Sequence, residues 1–138
     1  MPTPERPIVV TYKDMLRLTA LTEIYGFGRT RPLVDALEGE LVRARMVASD
    51  EVPGDVVTMN SRVRYADECT GRVREIVLCY PDAGTEDGRV SVLSPVGVAL
   101  LGLATGDAIE WVMPDGRSHR LRVLEVIYQP EASGDFEL

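Results

Sequence analysis

Apolar residues in the first third of the chain recur at helical spacing, and those in the remainder alternate. Met15, Leu18, Leu21 and Tyr25 lie three or four residues apart, which predicts a helix over about 12–25. Thr11 stands before it as an N-cap, with Asp14 three residues on in a capping-box-like place. Gly26 and Gly28 end the run. Leu33, Leu37, Leu41, Ala44 and Ala48 form a second stripe, with Asp35, Glu38, Arg43 and Arg45 on the opposite side. Thr30 and Pro32 supply its start. Gly39, in its middle, costs roughly 1 kcal/mol relative to alanine. It either lets the first helix come close or is simply tolerated. The short connection between the two helices makes an antiparallel hairpin. Ahead of it, Pro2, Pro4 and Pro7 keep residues 1–10 extended or frayed.

The period changes after the turn-rich SDEVPG at 49–54, a boundary that divides the chain into residues 1–50 and 51–138. Arg62–Tyr65 alternates, ECTG turns, and RVREIVLCY reads as a second strand, apolar on both faces in its later half. PDAGTEDG is a loop and RVSVL a third strand. DAIEWVM and HRLRVLEVIY are two more, joined by the turn signal PDGR. Between the third and fourth strands Ser94 is a good N-cap and Pro95 a favoured first helical residue. Val96, Ala99, Leu100 and Leu103 then give a short helix an apolar face. The fold class expected is α+β: a short N-terminal helical hairpin, then an antiparallel sheet with one packed helix.

Charge narrows the choice of partner. A net charge of −7 and a pI near 4.7 oppose binding to phosphates, where affinity comes from neutralising them. No direct nucleic-acid contact is expected, and a protein partner fits better. Lys13 is the only lysine, so arginine carries nearly all the positive charge. No stretch approaches the roughly 20 apolar residues of a membrane span. MPTPERPIVV lacks the basic and apolar regions of a secretion signal. The location expected is therefore the cytoplasm, where Cys69 and Cys79 are reduced thiols.

Catalytic chemistry finds little to use. His119 is the only histidine, too few for a histidine-based metal site; a partly exposed strand residue is the expectation. No G-x-S-x-G elbow and no phosphate-binding loop ending in lysine is present. The acidic pairs Asp50–Glu51, Glu86–Asp87 and Asp135–Glu137 read as solvated surface, because perturbing a carboxylate takes burial or a close partner. No metal, no cofactor and no catalytic residue is expected. The tail QPEASGDFEL either docks back on the sheet or meets a partner.

The run SVLSPVGVALLGL, the following Gly106–Asp107, the P-x-G turn at Pro114–Gly116 and the closing VLEVIY together resemble the C-terminal domain of the Gre transcript-cleavage factors, over about residues 56–128. DVVTMNSRVRY at Asp55–Tyr65, SPVGVALLGL at Ser94–Leu103 and YQPEASGD at Tyr128–Asp135 further resemble a Gre-related family, the regulators of nucleoside diphosphate kinase. That likeness extends over nearly the whole chain. It implies an FKBP-like C-terminal domain that binds the RNA polymerase β′ coiled coil beside the secondary channel, and an influence on nucleoside diphosphate kinase. It also implies that Leu93, Ser94 and Pro95 take part in the polymerase contact. Gre factors usually carry Asp or Asn at the Leu93 position, so an apolar contact by Leu93 and a structural role for all three residues stay open.

Gre cleavage needs a long hairpin tipped with acids that hold magnesium. A first helix of roughly 14 residues spans only about 20 Å. The turn YGFGRTRP carries Arg29 and Arg31 and no acid, with Glu23 alone nearby. The function expected is a non-enzymatic regulator that occupies the polymerase site and competes with Gre factors without cleaving transcripts. The alternatives are a peptidyl-prolyl isomerase and a direct binder of nucleoside diphosphate kinase.

Overall fold

A computed structural model describes residues 7–81, 88–136 and 138. Pro2, Pro4, Glu86, Asp87 and Glu137 lie outside the described residues. The chain enters in a short strand, β1 (Val9–Thr11), and turns directly into α1 (Tyr12–Tyr25). Thr11 stays extended and its Oγ1 accepts from the Asp14 N–H at 3.1 Å, the N-cap that the sequence signals. Asp14 does not complete a capping box. Its carboxylate is buried and reaches sideways, accepting from Arg17 Nη2 at 2.6 Å and from the Met59 N–H at 3.2 Å. Helix α1 is thereby tied to a segment 45 residues further on.

Thr30 differs from its expected role. Its backbone is already helical, and its hydroxyl donates backward to the Tyr25 and Phe27 carbonyls at 2.5 and 3.0 Å. It closes the end of α1 through a 3₁₀ turn at Gly28–Thr30 rather than capping the next helix. That helix, α2 (Arg31–Arg43), buries Val34, Ala36, Leu37, Glu40 and Leu41. Gly39 is exposed, and a Cβ built on it meets nothing within 4 Å. Simple tolerance, not close approach, describes it.

The stripe predicted to run through Ala44 and Ala48 stops early. Ala44 is extended, and Arg45–Val47 form β2, paired parallel with β1. A free strand edge explains this. The Arg45 N–H donates to the Ile8 carbonyl at 2.8 Å, and a ladder bond available there outweighs one more turn of exposed helix.

The remaining strands are β3 (Arg62–Asp67), β4 (Arg72–Cys79), β5 (Arg89–Ser91), β6 (Ala108–Val112) and β7 (Ser118–Tyr128), in the order β5-β4-β3-β7-β6. Every pairing in this sheet is antiparallel except that of edge strand β5, which runs parallel to β4. Helix α3 (Pro95–Leu100) packs against β5, β6, β7 and α2. One continuous core joins Leu18, Leu21 and Leu37 of the hairpin to Val57, Met59, Leu78, Leu100, Leu103 and Val123. At Gly102 the backbone has φ +80°, and an added Cβ would lie 2.5 Å from the Ile8 Cβ. Only glycine fits that approach.

The tail folds back onto the segment 53–58, the start of α1 and the end of β7, where the Tyr128 hydroxyl donates to Asp135. Gln129 Nε2 donates to the Pro53 and Val56 carbonyls at 2.7 and 2.8 Å. The Thr58 hydroxyl donates to Glu131 Oε1 at 2.7 Å, and Lys13 donates to the Phe136 carbonyl.

Candidate protein-docking site

The corner where β5 becomes α3 holds all three residues that the resemblance singles out. Ser94 is extended, as an N-cap must be. Its Oγ accepts from the Gly97 N–H at 3.0 Å, and its hydroxyl donates to the Ser91 carbonyl at 2.6 Å. Pro95 opens the helix where a missing N–H costs nothing. Leu93 points inward, only 9% exposed and part of the core, while its N–H donates to Ser91 Oγ at 3.0 Å. Ser94, Pro95 and Val96 are half-buried and form the accessible lip of the corner.

Two residues that sequence reasoning passed over hold this corner together. Ser91 bonds it twice, through side chain and carbonyl. Gly97 lets α3 settle onto β5: a Cβ there would stand 2.1 Å from the Ser91 carbonyl oxygen. The signal was present, in a serine three residues before the cap and a glycine three after it. The short spacing reads as a turn only once the strand is seen to end there.

His119 is buried rather than partly exposed. Trp111 pairs across from it in β6. Its Nδ1 lies 2.6 Å from Asp67 and its Nε2 2.9 Å from Asp115. Both ring nitrogens face carboxylates, which favours the form of the ring with hydrogen on both. The hydrogen bond to Asp67, then that to Asp115, raises its pKa above the ordinary histidine value. In return, hydrogen bonds to the Arg117 N–H and to His119 lower the Asp115 pKa. For Asp67, burial pushes upward, but His119 and the Cys69 N–H bring the net value down. The cluster staples the PDGR turn to the end of β3. Among the described residues, no group of three or more His, Cys, Asp or Glu is placed to hold a metal ion.

The outer face of the sheet is laced with cross-strand ion pairs. Arg62 meets Glu75 at 3.1 Å, Arg64 meets Glu125, and Arg120 and Arg122 share Glu68 at 3.1 and 3.2 Å. Arg74 instead sits beside the Tyr65 hydroxyl. Trp111 is buried in the core, 5% exposed. At the hairpin tip Phe27 is 73% exposed, and Arg29 and Arg31 are exposed beside it. Cys69 is an exposed thiol and Cys79 a buried one. Among the described residues, no helix is long and apolar enough to cross a membrane.

This architecture, with the Ser–Pro corner feeding α3, is that of a Gre-type C-terminal domain. Residues 51–128 match the family described as transcription elongation factor, GreA/GreB, C-term, and residues 6–47 match the Rnk N-terminus. A prokaryotic transcription elongation factor GreA/GreB from Nitrosomonas europaea is 43% identical and superposes with a TM-score of 0.71, over 90% of this chain and 100% of that one. The transcription elongation factor GreA of Clostridium botulinum is 40% identical over 65% of this chain and 56% of its own. The regulator of nucleoside diphosphate kinase of Escherichia coli K12 is 46% identical over 95% of this chain and 96% of its own. The chain belongs to that regulator's family, and it joins a Rnk-type N-terminus to a GreA/GreB C-terminal domain.

Proposed function

We propose that this GreA/GreB-related regulator binds RNA polymerase at the β′ coiled coil beside the secondary channel. There it competes with Gre factors and does not cleave transcripts. The observation that carries this reading is the β5–α3 corner, built inside a domain that matches the GreA/GreB C-terminal family. Ser94 and Pro95 form its accessible lip, and Leu93, anchored in the core, holds the lip in position. The carboxylate or amide that Gre factors usually carry at the Leu93 position is replaced by a buried apolar side chain. Contact therefore rests on the shape of the corner and not on a charge.

Two observations support the absence of cleavage. Helix α1 has 14 residues, about 21 Å at 1.5 Å each, which limits its reach. Its tip presents Phe27, Arg29 and Arg31, none of which coordinates magnesium, an ion held by oxygen ligands. Arg62, Arg64, Arg120 and Arg122 of the outer sheet face are engaged by glutamates, which leaves fewer open charges for a phosphate. Trp111 packs into the core, 5% exposed, which counts against the prolyl isomerase reading. We place action in the cytoplasm. The link to nucleoside diphosphate kinase that the relative's name carries is read as indirect, through transcription.

The test is competition. Purified protein is titrated into backtracked elongation complexes with a fixed amount of a Gre factor, and cleavage is scored. Dose-dependent inhibition, relieved by Pro95→Asp, supports the reading. Cleavage by this protein alone, or no effect at saturating amounts, rejects it.

A further inference from the structure

The His119 ring joins two turns at one end of the sheet. Its Nδ1 lies 2.6 Å from Asp67 Oδ2, where β3 closes, and its Nε2 lies 2.9 Å from Asp115 Oδ2, in the turn between β6 and β7. Each carboxylate is tethered by its other oxygen. Asp67 Oδ1 accepts from the Cys69 N–H at 3.0 Å, and Asp115 Oδ1 accepts from the Arg117 N–H at 2.8 Å. This geometry suits one protonation state of the ring. With hydrogen on both nitrogens the ring donates to both acids; a neutral ring has one N–H and one lone pair. Once a proton leaves, a lone pair faces a carboxylate oxygen at hydrogen-bond distance, and that contact must open.

The two acids are not equivalent. The Asp67 side chain is 17% exposed and that of Asp115 49%. An unpaired carboxylate costs more where less water reaches it, so the remaining proton belongs on Nδ1 and Asp115 is the partner let go. The turn that carries Asp115 is closed on itself by the Met113 N–H to the Arg117 carbonyl and the Gly116 N–H to the Met113 carbonyl, so it moves as a unit. Around the ring, Glu68 is held by Arg120 and Arg122, and the Cys69 thiol lies on the Ser118 carbonyl. Arg72 and Arg74 of β4 stand opposite Asp67 and Tyr65, and Arg117 acts on Asp115. On β6, Trp111 pairs with His119 and carries no charge, while Glu110 meets Arg120. Hydrogen bonds to Asp67 and Asp115 raise the His119 pKa and both acids titrate low, so of these three groups only the ring changes charge above about pH 6.5.

We propose that His119 is a proton-operated latch: loss of one proton leaves the ring on Asp67 and releases Asp115, so that the β6–β7 turn parts from the end of β3. Below the titration the two turns are presented as one surface, and above it they move separately. The latch stands apart from the polymerase reading and does not depend on it.

Because His119 is the only histidine, its ring can be followed directly. The nitrogen shifts of the full chain are recorded by NMR from about pH 6 to 9, across the range in which histidine changes charge. Amide exchange of residues 113–118 is measured alongside and corrected for the intrinsic effect of pH. At the acid end both nitrogens should carry hydrogen. Towards the alkaline end Nε2 alone should move to the position of an unprotonated nitrogen, while exchange in the turn rises several-fold with the same midpoint. Asp115→Asn is the second arm: its side-chain oxygen can accept from the protonated ring and its N–H can donate to the neutral one. Exchange in the turn should then stay flat while the ring still titrates. A neutral ring with its hydrogen on Nε2 overturns the proposal. So does a turn indifferent to the titration, a ring with no transition in this range, or an Asp115→Asn turn that opens as far as the wild type.

Discussion

Gly97 and Gly39 offer the sharpest test of the packing, because the same substitution should act in opposite directions. At Gly97 an added methyl stands 2.1 Å from the Ser91 carbonyl oxygen and 2.8 Å from the Val92 Cα. Ordinary carbon–oxygen contacts begin near about 3.3 Å, so α3 must retreat by about 1 Å. That retreat overpacks a site walled by backbone, at about 1–3 kcal/mol. It also stretches the Ser94 cap, whose loss costs about 1 kcal/mol. Gly97→Ala should therefore cost about 2–4 kcal/mol. At Gly39 the methyl meets nothing, and alanine gains about 0.5–1 kcal/mol through helix propensity. For a chain of this length one kcal/mol moves the melting temperature by roughly 3–5 °C. Thermal unfolding followed by circular dichroism should then show a rise of about 2–4 °C for Gly39→Ala and a fall of at least about 6 °C for Gly97→Ala. A Gly97→Ala protein that melts like the wild type would refute the close approach of α3 to β5. A Gly39→Ala protein that melts lower would refute the open surface of α2.

Three further outcomes are expected. His119 has a raised folded pKa, so its contribution is complete below about pH 6.5 and fades as pH rises through the folded value. Asp67 and Asp115 titrate low, so their share is lost only in acid below about pH 4. Melting temperature should fall between pH 6 and 9 in the wild type and more shallowly in His119→Gln; equal slopes would argue against the staple. Asp14→Ala strips an acceptor from the Met59 N–H and a partner from Arg17, at about 2–3 kcal/mol, measured by urea unfolding. Gln129→Ala frees the Pro53 and Val56 carbonyls. It should cost about 1–3 kcal/mol and speed hydrogen exchange in segment 53–58.

Wherever local chemistry decides, the sequence could be read directly. Thr11 ahead of a 3.6-residue stripe marks the start of α1, and Ser94–Pro95 marks α3, because caps act within one turn. The end of α2 could not be read. Ala44 suits a helix, and what overrides it is a strand edge at Ile8–Thr11, more than 30 residues away. His119 shows the same limit: its partner Asp67 is 52 residues distant, so an isolated strand histidine and a ring stapled by two carboxylates look alike in the chain. The residues of the β5–α3 corner were visible as a group, but which of them face outward was not. Leu93 turns inward because Ser91, whose spacing to the cap reads as a turn only once the strand is seen to end there, folds the corner.

The parallel pair β1–β2, the Asp14 bond to Met59 and the packing of Ile8 on Gly102 fasten the foot of the hairpin from three sides. Three such contacts set the orientation of the stem on the domain. Wherever the corner is gripped, the tip is aimed along one fixed bearing, and stem length alone sets how far it projects. Adding matched turns to α1 and α2 should advance the tip by about 5.4 Å per turn while keeping its heading.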